Sequence, residues 1–144
     1  MIEATDRKVV HSFFHERLGL HWSEDFRGVL HVPSSCTDAP MCMDDVVMGV
    51  AYNGFVGRVC CMHYVVQRPA MVKPRMLRDA FHYAFNVCGC EAVIGFVDSN
   101  NHQALRVDKK LGFREVMTIP NGGPEGDMIV FQMLRADCKW LQEH

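Results

Sequence analysis

Apolar positions recur along this chain with two periods, and the changes between them divide it into elements. Over residues 6–19, Val10, Phe13, Phe14 and Leu18 fall on one face of a helix, with Thr5 or Asp6 to cap it and Gly19 to end it. Residues 26–32 predict a short strand. Residues 33–45, with two prolines and small polar residues, predict a loop. Residues 46–52 predict a strand, Asn53-Gly54 a hairpin turn, and residues 58–66 a second, almost wholly apolar strand suited to a central position. Pro69 and Pro74 make residues 68–75 a loop, with Pro74 placed as a first helical residue. Leu77, Ala80, Phe81, Ala84, Phe85 and Cys88 then form a helical stripe that Gly89 ends.

Residues 92–97 predict a strand, completing a strand–helix–strand unit that should cross over right-handed with its strands parallel. Asp98-Ser99-Asn100-Asn101 is a run of capping residues. A short helix follows from about His102 to Leu111, with Ala104, Val107 and Leu111 as its buried line and Gly112 as its stop. Residues 113–119 predict a strand, 120–126 a glycine-rich turn, and 128–134 a returning strand with Ile129, Phe131 and Met133 on one face. The tail to His144 predicts a short helix carrying Trp140 and Leu141. The order describes one α/β domain over residues 1–144.

Composition narrows the class. At 144 residues and 49% apolar, the chain is long enough for one core and too apolar for intrinsic disorder. Fifteen Lys and Arg against 17 Asp and Glu give no support to general nucleic-acid binding. No run of 18 apolar residues predicts a membrane span, and the start Met1-Ile2-Glu3 lacks the pattern of a signal peptide, so a cytoplasmic setting is expected. Seven cysteines, an odd number without a C-x-x-C, point to small buried hydrophobes rather than disulfides or zinc. His11 and His15 have metal-ligand spacing but no evident third ligand, so no metal is expected. Trp140, Leu141, Met41, Met43 and Met48 supply either a homodimer contact or ordinary packing.

One segment carries a sharper signal. Asn101-His-Gln-Ala104-Leu-Arg-Val-Asp108-Lys-Lys110-Leu-Gly112-Phe113 resembles the N-x-x-A-x-x-x-Y-x-K-x-G-F signature of the GNAT family of N-acetyltransferases. The motif match spans residues 96–114, and the element order agrees over about 46–134. The resemblance implies a mixed, mostly antiparallel sheet with a splayed parallel strand pair, flanked by helices. It implies acetyl-CoA as substrate, its acetyl group passed directly to an amine of a small molecule or protein. Backbone amides at Val65, Val66 and Gln67 would meet the pantetheine and thioester. The stretch Arg68, Met71, Lys73, Pro74 and Arg75 would meet the pyrophosphate at a helix start, and Asn101 belongs to the same cofactor set.

The chain departs from the family twice. Its phosphate loop has no glycine, so Arg68, Lys73, Arg75 and Arg78 either replace the lost amides or form a solvated rim. Asp108 stands where many members have a Tyr that protonates the departing thiolate. An exposed Asp, with a reference value of about 3.9, is a poor acid. It either gains acidity by burial beside the Ala104–Leu111 line or pairs with a surface Arg or Lys. His63 is the first choice for a general base, with Tyr64, on the opposite face, the second. The departures leave a second reading, a GNAT-fold binding or structural protein without turnover. Divergent proteins of this kind occur in tailed bacteriophages, as virion or host-directed proteins, which would place the chain in a virion or host cytoplasm. A metal or redox protein is the third, disfavoured reading.

Overall fold

A computed structural model describes residues 2–3, 7–33 and 42–141. The chain divides into two compact units, Met1–Phe55 with Met62–Ala80, and Val56–Cys61 with Phe81–His144.

In the first unit, strands β1 (Ile2–Glu3), β2 (Arg27–His31) and β3 (Met48–Val56) pair antiparallel, with Ile2 opposite Leu30 and His31 opposite Met48. The C-terminal half of β4 (Val59–Val66) follows β3 in the order. Helix α1 (Arg7–Leu18) buries Val10, Phe13 and Phe14 among Phe26, Leu30, Val32, Val46 and Ala51. Burying each Phe contributes about 1.5–3 kcal/mol. The close packing depends on Gly49, where an added Cβ would lie 2.8 Å from Phe13 and 3.0 Å from Phe14. Helix α2 (Pro74–His82) begins in this unit, and Tyr52 donates its hydroxyl to the Ala80 carbonyl.

In the second unit, β4 pairs parallel with β5 (Ala92–Asp98), from Val59 opposite Ala92 to Cys61 opposite Ile94. Strand β7 (Met128–Leu134) lies antiparallel between β5 and β6 (Arg114–Ile119). Helix α3 (His102–Leu111) joins β5 to β6. The expected sheet type, mixed and mostly antiparallel with one parallel pair and flanking helices, is the one observed. Ile129, Phe131 and Met133 are buried, as their alternation predicts.

Four local expectations need correction. The hairpin turns at Gly57-Arg58, not at Asn53-Gly54, which lie inside β3. Gly54 keeps a positive φ of 62° there, while Asp25 accepts from the Phe55 amide at 2.9 Å and Asn53 is held by His63. Tertiary partners thus absorb the turn signal as an irregular strand, and Gly57, at φ 56°, takes the first central position that type II′ turns give to glycine. The helix over 77–88 stays α-helical only to His82. It widens to a π turn over Tyr83–Val87, whose Phe85 carbonyl accepts from Arg135. The buried residue of α3 is Asp108, while Ala104, Val107 and Leu111 are half-buried. The tail forms two 3-10 turns, Arg135–Asp137 and Lys139–Leu141, instead of one helix. Trp140 packs within its own unit, stacked at 6.4 Å on Phe81 and donating to the Leu111 carbonyl at 2.9 Å. The proposed α1 cap at Thr5 or Asp6, loop residues 34–41 with Met41, and residues 142–144 lie outside the described residues.

Candidate active site

The expected site residues fall in both units. His63, Tyr64, Val65, Val66, Arg68, Met71, Lys73, Pro74 and Arg75 lie in the first, and Asn101 and Asp108 in the second.

In the first unit they occupy the corner between β4 and α2. His63 is half-buried, and its Nε2 lies 2.8 Å from Asn53 Oδ1. An amide oxygen only accepts, so with the Asn assigned this way Nε2 carries the proton and Nδ1 the lone pair. Burial pulls the pKa of His63 below its ordinary 6.5, which keeps the ring neutral at pH 7. That is the form a proton acceptor needs. Tyr64 follows it on β4 and is also half-buried.

Beyond Val66 the backbone is tied to the residue that precedes β3. The Gln67 and Arg68 amides both donate to the Val47 carbonyl, at 2.9 and 3.2 Å. The Gln67 amide expected to meet the substrate is therefore already engaged. Its side chain is engaged too: Nε2 donates to the carbonyls of Met43 (3.0 Å) and Val46 (2.8 Å), and Oε1 accepts from Arg17. Arg17 lies 4.1 Å over the Phe13 ring. A 3-10 turn, Pro69–Met71, leads to α2, where Pro74 takes the first position as its missing N–H allows. Arg68 is not a free cation, since it pairs with Asp45 at 3.3 Å. Met71, Lys73 and Arg75 are exposed.

In the second unit the corner between β5 and α3 keeps the pattern that the sequence motif describes. Asn101 Oδ1 accepts from the Ala104 amide at 3.2 Å, capping α3. Gly112, at φ 111°, ends the helix in the left-handed region, and its amide and that of Phe113 close on the last turn. Asp108 is 3% exposed, so it does not lie on the solvated surface of the helix. Its Oδ2 lies over the middle of β5, where a Cβ on Gly95 would come within 3.7 Å.

Sequence reasoning missed three groups. Asp98, expected only as part of a capping run, accepts from the amides of Asn100 (2.8 Å), Glu125 (2.8 Å) and Gly126 (3.1 Å), tying the β6–β7 hairpin to the end of β5. Gln67 is the hydrogen-bonding hub described above. His31 is almost fully buried, and the signal for it was a lone imidazole in the otherwise apolar end of the strand, Val29 to Val32. Among the described residues, no three His, Cys, Asp or Glu side chains are grouped to hold a metal, and no helix is long and apolar enough to cross a membrane.

The fold is an α/β one shared with solved acetyltransferases. It is similar to the spermidine/spermine N-acetyltransferase SpeG of Vibrio cholerae. Mutant forms of SpeG superpose with a TM-score of 0.65 at 10% identity over 90% of this chain and 76% of that one. Another SpeG mutant gives 0.67 at 12% identity over 94% and 76%. A GNAT-family acetyltransferase from Bacillus anthracis gives 0.51 at 16% identity over 62% and 58%. The shared feature is the GNAT fold. No protein-family model and no curated protein sequence matches the chain.

Proposed function

We propose that the chain is an N-acyltransferase that passes the acetyl group of acetyl-CoA to the amine of a small molecule. The observation that carries this reading is α3. Its Asn101 cap, left-handed Gly112 and buried Phe113 match the family's motif in form as well as in letters. Its one buried polar side chain, Asp108, stands at the position where that motif carries its acid. Fold neighbours that include a spermidine N-acetyltransferase support a small amine as acceptor.

In the reaction, the amine nitrogen forms the new bond to the thioester carbonyl and the bond to sulfur breaks. Neutral His63 takes the amine proton at Nδ1, and Tyr64 is the alternative base. The departing thiolate takes up a proton, and Asp108, at the motif's acid position, is the residue we assign as its donor. Val65 and Val66 line the pantetheine, the stretch with Met71, Lys73, Pro74 and Arg75 meets the pyrophosphate, and Asn101 fixes the helix bearing the acid. Orientation supplies much of the acceleration, because the thioester is already activated.

The test is release of free CoA thiol from acetyl-CoA in the presence of diamines and polyamines. Release that depends on the amine is expected, and Asp108→Asn and His63→Gln should each lower it by about 10²-fold. Absence of amine-dependent release would overturn the enzyme reading. A second reading, a GNAT-fold protein without turnover, is favoured by the β4–α2 corner, where the Gln67 and Arg68 amides are given to Val47 and the Arg68 guanidinium to Asp45.

A further inference from the structure

A second polar site lies within the first unit, away from the residues assigned to acetyl transfer except Arg75. The last residue of β2, His31, is 2% exposed, and its Nε2 has no hydrogen-bond partner among the described residues. Such an orphan is unusual in a folded core, because an unpaired buried polar atom costs about 1–3 kcal/mol. His31 lines a cavity of about 80 Å³ together with Val32 and with Arg75, Met76 and Asp79 of α2. Arg75 and Asp79 are four residues apart on one helix face and so present opposite charges to the same space. Neither makes a hydrogen bond or ion pair among the described residues. Burial pushes the His31 pKa down to about 4, so the ring is neutral at pH 7 and can donate or accept.

We propose that this cavity binds a compact zwitterion, the ammonium and carboxylate head of a small free amino acid such as glycine. The guanidinium of Arg75 takes the carboxylate, the carboxylate of Asp79 takes the ammonium, and His31 completes the hydrogen bonding. An anion alone would sit against Asp79, and a cation alone against Arg75, each leaving one charge unmatched. The size agrees: the space exceeds the roughly 30 Å³ share of one water but is far below the roughly 300 Å³ at which drug-sized pockets begin.

The experiment is a titration of the full chain at pH 7 with glycine, acetate and methylamine, followed through the His31 ring resonances. Glycine should give a saturable shift, with acetate and methylamine each weaker by about tenfold or more, since each lacks one charged contact. Asp79→Asn and Arg75→Gln, at accessible helix positions, should each weaken glycine by a similar factor while leaving the fold intact. His31→Phe, which fills the space, should abolish binding. Acetate or methylamine binding as tightly as glycine would overturn the zwitterion assignment. The absence of saturation by all three would overturn the site itself and leave a hydrated cavity. None of these outcomes depends on acetyl-CoA turnover, so failure here and failure of the acyltransferase reading are separable.

Discussion

The corners β4–α2 and β5–α3 both join a strand to a helix, yet they dispose of their polar groups in opposite ways. At β5–α3, side chains serve the backbone: Asn101 caps the helix, and Asp98 collects three amides from neighbouring turns. At β4–α2, the backbone is satisfied by backbone, with Gln67 and Arg68 donating to Val47, and the helix opens on a proline that has no amide to offer. The first arrangement preserves a motif. The second has no glycine in its loop and leaves the basic side chains Lys73 and Arg75 exposed. The comparison teaches that one corner keeps the capping pattern of the sequence motif, while the other gives its amides to neighbouring backbone.

The largest effect expected from disturbing either corner is at Gln67. It joins Arg17 to the carbonyls of Met43 and Val46, so Gln67→Ala removes three hydrogen bonds and should lower stability by about 2–3 kcal/mol in urea unfolding. A loss below about 0.5 kcal/mol would mean that water replaces the hub and that the corner is not closed in the way described. Next is Asn101→Ala, which should lower stability by about 1 kcal/mol through the lost cap, while Asn101→Asp should retain most of it. Equal loss in both variants would remove capping as the reason for that residue.

The smallest effect is expected at Asp98, where solvent competes for the amides. The Glu125 and Asn100 amides hold its carboxyl below the usual range. The folded pKa is thus lower than the unfolded one, so its contribution is present above about pH 4 and is lost as pH falls through the folded value. Asp98→Asn should therefore flatten the acid limb of stability measured from pH 5 downward. An unchanged limb would show that other carboxylates account for it.

Much of this was legible from periodicity. The stripe of Phe13 and Phe14, the alternation of Ile129, Phe131 and Met133, and the Asn101–Gly112 frame are short-range patterns, and each fixes an element without help from distant residues. The misreadings came where a distant partner decided. Asn53-Gly54 is a turn signal by local chemistry, but Asp25, some thirty residues earlier, holds the Phe55 amide and keeps this stretch in the strand. Ala104, Val107 and Leu111 read as the buried line of α3, yet Asp108 is the buried residue, with its carboxyl over Gly95 of β5. The Arg68–Asp45 pair and the His31 cavity join segments more than twenty residues apart, which no spacing rule connects.

The central claim is that the β4–α2 corner serves an acyl donor, and the calorimetric titration of acetyl-CoA into the full chain tests it most directly. The account predicts saturable binding of one acetyl-CoA per chain, weakened in Lys73→Ala. The absence of binding heat at millimolar acetyl-CoA would contradict it and leave a GNAT fold without its substrate.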